Sequence, residues 1–162
     1  MLRKKSMVLV LSTLLLIAGC GGAGQTTATE KTDPTQEVIP TVDKHHVLYK
    51  YFQTAYGDKK PILTGVNDIN DDGREDLIVI YRDTSKTNKM IAIWEENGEV
   101  VMSDPTPAPV EKCRIEWRDI DNKAPIELII AGSKGVNFGY AIYRWENGNF
   151  VNLFGEGMED CC

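Results

Sequence analysis

Histidine is nearly missing from this chain: 162 residues hold two, side by side as His45 and His46. Neighbours on a helix point about 100° apart, so this pair cannot easily clamp one ion and reads as solvated or packed. No Ser-His-Asp arrangement, phosphate-cradling glycine loop or pair of catalytic carboxylates stands out, which argues against a hydrolase or transferase. Cysteine is scarce too. Cys20, Cys113, Cys161 and Cys162 are too few and too unevenly placed for a disulfide scaffold. The apolar run from Met7 to Ala18 falls short of the ~20 residues that span a bilayer. Positive charge is in deficit: the formal net charge is −6, and it becomes −9 once Arg3, Lys4 and Lys5 are removed with residues 1–19. Such a domain does not suit nucleic acid or an anionic membrane surface, and it is compatible with cations.

What is present near the start is a targeting layout. The three basic residues precede the apolar run, as in a signal segment. The run closes in Leu16-Ile17-Ala18-Gly19-Cys20, which resembles the bacterial lipoprotein lipobox. That resemblance implies cleavage before Cys20, acylation of Cys20 (palmitate among the chains), and a lipid anchor on the extracytoplasmic face of the cell membrane. Two acyl chains hold a protein stably where one is marginal. Residues 20–40, rich in Gly, Thr and Gln, read as a flexible tether with a reach of about 25 Å. Residues 41–154 suit one β-repeat domain, and residues 155–162 read as a flexible tail.

Val47, Leu48, Tyr51, Phe52, Ala55 and Tyr56 recur at helical spacing, with Thr41 or Asp43 as a cap and Gly57 as a stop. The chain then repeats itself. Residues 68–78 align without a gap on residues 119–129, and Glu96-Asn97-Gly98 matches Glu146-Asn147-Gly148. Asn-Gly between β-rich runs is the strongest short hairpin signal, because both turn positions need positive φ. The expected fold is mainly β: two four-stranded, propeller-blade-like repeats preceded by one amphipathic helix. The Pro-rich stretch Ser103 to Pro109 would be the extended linker between them. Two blades cannot close a ring, so two packed sheets are expected.

In the first repeat, Asp68, Asn70, Asp72 and Asp76 sit at positions 1, 3, 5 and 9 of a loop, with the Arg74 carbonyl at position 7 and Gly73 at the bend. That spacing of oxygens suits Ca²⁺, although Val79 stands where an EF-hand needs glutamate. The loop resembles that of FG-GAP repeats of integrin-type propellers, which implies a structural calcium site. In the second copy Lys123 replaces the central carboxylate and Ala124 replaces the glycine. There an ammonium is expected to neutralise Asp119, Asp121 and Glu127 without an ion.

Cys161 and Cys162 are adjacent. Their Cα atoms are held at ~3.8 Å, shorter than the ~4.4–6.8 Å of an unstrained disulfide. The pair therefore suits a labile redox couple or a two-sulfur clamp for a soft metal better than a staple. Glu159 and Asp160 are expected to hold both thiols protonated. Cys113, between Lys112 and Arg114, reads as the better thiolate, a possible third sulfur, or a small buried residue. The lipobox, the acidic β-domain and the Cys-Cys ending together resemble the Cys-Cys-COOH (seleno)protein family, SaoC. The resemblance implies handling of mercury-type metals or organometals through Cys161 and Cys162, with a transporter or thioredoxin-like partner. Other readings are a calcium-stabilised surface binding module with an incidental tail, and a thiol redox donor.

Overall fold

The structure, a computed structural model, describes residues 42–44 and 46–162. The lipobox-like segment, Cys20, the tether, Thr41 and His45 lie outside them. Among the described residues no helix is long and apolar enough to cross a membrane.

Hydrophobic patterning sorts the strands. Strand β2 (Asp76–Arg82) reads DLIVIYR and is buried on both faces, as a sheet covered from two sides requires. It lies between β1 (Lys60–Asn67) and β3 (Asn88–Glu96), and β4 (Glu99–Met102) follows β3; all three pairings are antiparallel. The second sheet is an antiparallel meander of β6 (Glu111–Arg118), β7 (Glu127–Lys134), β8 (Asn137–Glu146) and β9 (Asn149–Glu156). Both Asn-Gly turns form as their residues demand, with φ of 54° and 82° at Asn97-Gly98 and 51° and 80° at Asn147-Gly148.

The mainly β reading holds as two antiparallel sheets behind one helix. The linker departs from it. Thr106–Ala108 forms a further strand, β5, against the start of β3, with Pro107 opposite Lys89. An edge of this kind tolerates proline, because no further strand needs its missing N–H.

Helix α1 spans Val47–Ala55, with His46 at its N-cap position and no side-chain cap hydrogen bond. It lays Leu48 and Phe52 on the first sheet, against Leu77, Val79, Tyr81, Ile91 and Ile93. Burying a ring such as Phe52 contributes roughly 2–3 kcal/mol. The expected apolar stripe is narrower than its spacing suggested: Val47, Tyr51 and Ala55 are exposed, and Tyr49 joins the packed face instead.

The main core lies between the sheets. Ile78, Ile80, Met90, Ala92 and Trp94 meet Leu128, Ile130, Ala141, Tyr143 and Trp145. Trp94 and Trp145 pack edge to face with centroids 4.9 Å apart. A Cβ at Gly65 would stand 2.9 Å from Ile115 Cγ2, so the close crossing of β1 over β6 depends on glycine.

Strand register shows how the repeats stack. Leu77 lies opposite Ile93 in the first sheet and Leu128 opposite Tyr143 in the second. Thus Leu128, Ile130, Ala141 and Tyr143 stand at the repeat positions of Leu77, Val79, Ile91 and Ile93. The first group is covered by the first sheet and the second by α1. The sheets stack front to back in one sense, with α1 capping one end.

Candidate metal and thiol sites

The predicted residues of the first loop bond its own backbone, and the carboxylate oxygens of Asp68, Asp72 and Asp76 do not lie mutually within 4.8 Å. Asp68 accepts the N–H of Asp72 at Oδ1 (3.1 Å) and of Gly73 at Oδ2 (2.8 Å). Asn70 Oδ1 accepts the Asp72 N–H at 3.0 Å, and Asp72 Oδ1 accepts the Arg74 N–H at 2.9 Å. These bonds fold the loop on itself in Asx-type turns. The Arg74 guanidinium swings outward to Asp72 Oδ2 (3.0 Å) and Glu95 Oε1 (2.7 Å).

Asp76 forms the floor of this loop. It is 1% exposed, and its Oδ2 accepts the Ile69 N–H at 3.0 Å. Its Oδ1 is buried and has no hydrogen-bond partner. Burial pushes its carboxyl up to about 6; the Ile69 bond opposes this, and the charges of Asp72 and Asp68 add to it. A buried carboxylate oxygen without a donor needs an explanation; a hard cation there would require the loop carboxylates to close in. Asp68, Asn70, Asp72, the Arg74 carbonyl and Asp76 are the groups that would hold it.

The second loop solves the same problem with a side chain. Glu127, at the repeat position of Asp76, is fully buried, and its Oε2 accepts the Ile120 N–H at 2.8 Å. Its Oε1 accepts Nε of Arg144 at 3.0 Å and also Nη2 of the same guanidinium. Arg144 Nη2 further bonds Asp121 Oδ2 at 2.9 Å, which holds the Asp121 carboxyl below its ordinary range. The expected neutraliser was Lys123. Instead its Nζ stays 3.9 Å from Asp121 on an exposed side chain.

Among the described residues, the carboxylate oxygens of Asp119, Asp121 and Glu127 lie mutually within 4.8 Å, a spacing compatible with a metal ion. The Arg144 guanidinium already bonds two of the three, Asp121 and Glu127. At the repeat position of Arg144 the first sheet has Trp94, which carries no charge. A comparison of the two copies at that register would have found Arg144 in the sequence.

The tail is packed. Strand β9 continues to Glu156, beyond the expected domain end at 154, and a short helix, α2 (Met158–Cys161), follows. Gly157 turns the chain with φ of 67°, and the Val110 N–H donates to the Cys161 carbonyl at 3.0 Å. Cys161 is fully buried beside Gly139, where a Cβ would come within 2.7 Å of its Sγ. Gly155, Gly157, Glu156, Glu159 and Asp160 suit a flexible arm by composition. One of those glycines makes the turn that docks it.

Cys161 Sγ lies 3.7 Å from Cys162 Sγ and 3.8 Å from the Met158 sulfur. Cys162 lines a cavity of about 530 Å³ with Met158, Tyr143, Pro107, Asn88 and Lys89. Its thiol is pushed up to about 12, first by burial, then by its hydrogen bond with Cys161 and the neighbouring Cys161 and Cys113; Lys134 pulls the other way. The direction agrees with the sequence reading. The cause is burial rather than Glu159 and Asp160.

Cys113 is half-buried on the core face of β6 with Ile115 and Trp117, and its thiol donates to the Pro109 carbonyl at 3.0 Å. Lys112, at the bulge, and Arg114 both occupy exposed positions, while Cys113 lies on the core side. The three thiols do not lie mutually within 4.8 Å. Comparison with protein-family models, curated proteins and solved structures brought no match for this chain.

Proposed function

We propose that this chain is an extracytoplasmic, lipid-anchored protein whose Cys161–Cys162 dithiol captures a soft metal ion or an organometallic cation of the mercury type. It would pass that cargo to a transporter or thioredoxin-like partner. One observation carries the reading: two free thiols 3.7 Å apart, with the Met158 sulfur 3.8 Å from one of them, at a largely apolar cavity lined by Cys162. Soft cations prefer thiolate and thioether ligands. Capture of Hg²⁺ would form two Hg–S bonds and release two thiol protons to solvent, with no change of oxidation state. The raised Cys162 thiol makes the pair a poor unaided redox donor, and a cation that displaces protons reverses that balance.

In this reading Ca²⁺ in the first loop is scaffold. It would neutralise Asp76 and its neighbours as Arg144 neutralises Glu127. The front-to-back stacking of the two sheets supports describing them as blade-like repeats.

Titration of the reduced protein with Hg²⁺ and with phenylmercury tests the thiol reading. Replacing both Cys161 and Cys162 by Ser should weaken binding at least about a hundredfold, and Cys113→Ser should weaken it much less. Equal affinity in the double variant would show that the tail is incidental, favouring the calcium-stabilised binding module.

A further inference from the structure

Asn88 opens strand β3 and departs from the repeat. It lies opposite Arg82 in the first sheet, as Phe138 lies opposite Ser133 in the second. Phe138, its repeat equivalent, is 63% exposed, whereas Asn88 is 1% exposed. The pattern shared by the two sheets therefore does not call for a buried amide at this position. Burial also leaves Asn88 Oδ1 without a hydrogen-bond partner, which is unfavourable and asks for a local reason.

The amide nitrogen supplies one. Nδ2 donates to the Pro109 carbonyl at 2.6 Å and to the Val110 carbonyl at 3.1 Å. It also lies 3.8 Å from Cys113 Sγ, whose thiol donates to the same Pro109 oxygen. The Pro109 carbonyl and the Val110 N–H belong to one trans peptide unit, so they point in opposite directions. With the oxygen held by Asn88, the N–H is aimed at the Cys161 carbonyl, to which it donates at 3.0 Å. One buried side chain thus ties β3, the segment between the sheets and the main chain of Cys161 together. Asn88 also lines the cavity that Cys162 lines.

Given the dithiol reading of the tail, on which this rests, we propose that Asn88 is a positioning residue for the thiol site. By fixing the Pro109–Val110 peptide unit it sets where Cys161 stands beside Cys162. Groups that orient the ligands of a metal without touching it change affinity about 10–100-fold when removed.

Two probes separate positioning from a general loss of structure. Hg²⁺ bonds both thiols and releases two protons, whereas phenylmercury bonds one thiol and releases one. Only the first needs Cys161 held beside Cys162. In the full, reduced chain, Asn88→Ala should weaken Hg²⁺ binding at least about tenfold more than it weakens phenylmercury binding. Hydrogen exchange gives a second readout. The Val110 N–H should accelerate at least about tenfold more than that of Ile91, which sits in the core ladder. Where Asn88→Ala does not fold, Asn88→Ser carries the same test, since one hydroxyl donor cannot serve both carbonyls. Equal losses for the two probes, or none, overturn the proposal, as does a Val110 N–H that exchanges as in the parent. A parent chain that binds neither probe overturns the dithiol reading instead, and the Val110 exchange then still decides whether Asn88 fixes Cys161.

Discussion

The guanidinium of Arg144 donates to the buried carboxylate of Glu127, which supplies within the chain the positive charge that this position of the repeat requires. Asp76 stands at the same position of the other repeat with one oxygen unpartnered. At this position the two copies differ: Glu127 is paired with Arg144, whereas one oxygen of Asp76 has no hydrogen-bond partner.

Removing the side chain should therefore be costly. Arg144→Met leaves Glu127 buried and unpaired, a loss expected at about 3–5 kcal/mol in urea unfolding. Adding Glu127→Gln should recover more than half of it. A single variant within about 1 kcal/mol of the parent would contradict the assignment.

Asp76 makes a pH-dependent prediction whose sign depends on calcium. In the ion-free protein its folded carboxyl titrates at about 6, above its ordinary value of ~3.9. Its contribution to stability is full below about pH 4 and is lost as pH rises through about 6. A bound ion competes with that proton, so the gain in Tm on adding Ca²⁺ should grow between pH 5 and 7.5. Asp76→Asn should abolish that gain. An equal calcium response at both pH values, or one that survives in Asp76→Asn, would remove the ion from the first loop.

Gly139 should control the tail. A methyl group there meets the Gly157 carbonyl oxygen at 2.5 Å and Cys161 Sγ at 2.7 Å. We expect Gly139→Ala to cost about 1–3 kcal/mol and to release α2 from β8. Cys161, shielded in the parent, should then react with maleimide about tenfold faster. Unchanged labelling would mean that the tail is held elsewhere.

The Cys162 thiol should behave as a very weak acid. With its titration near 12, its alkylation by iodoacetamide should climb about tenfold per pH unit from 7 to 10, without a plateau. Following Cys162 by peptide mapping separates it from Cys113 and Cys161. A plateau below pH 9 would show an activated thiolate instead.

Much of this molecule follows from local sequence. The Asn-Gly turns, the gapless repeat and the run of Asp68, Asn70, Asp72 and Asp76 act over a few residues, where backbone sterics and hydrogen-bond spacing decide the outcome. They specify two antiparallel sheets, the loop and its bonding groups. Tertiary structure decided what lies opposite each group. Arg144 reaches Glu127 across a ladder from 17 residues away, and Gly157 folds an acidic tail onto β8. The bulge at the start of β6 and strand alternation set Cys113 on the core face, away from its charged neighbours. Burial and cross-strand register depend on the whole chain, so the charges and exposures that set the chemistry of Asp76, Glu127 and Cys162 could not be read from their neighbours in sequence.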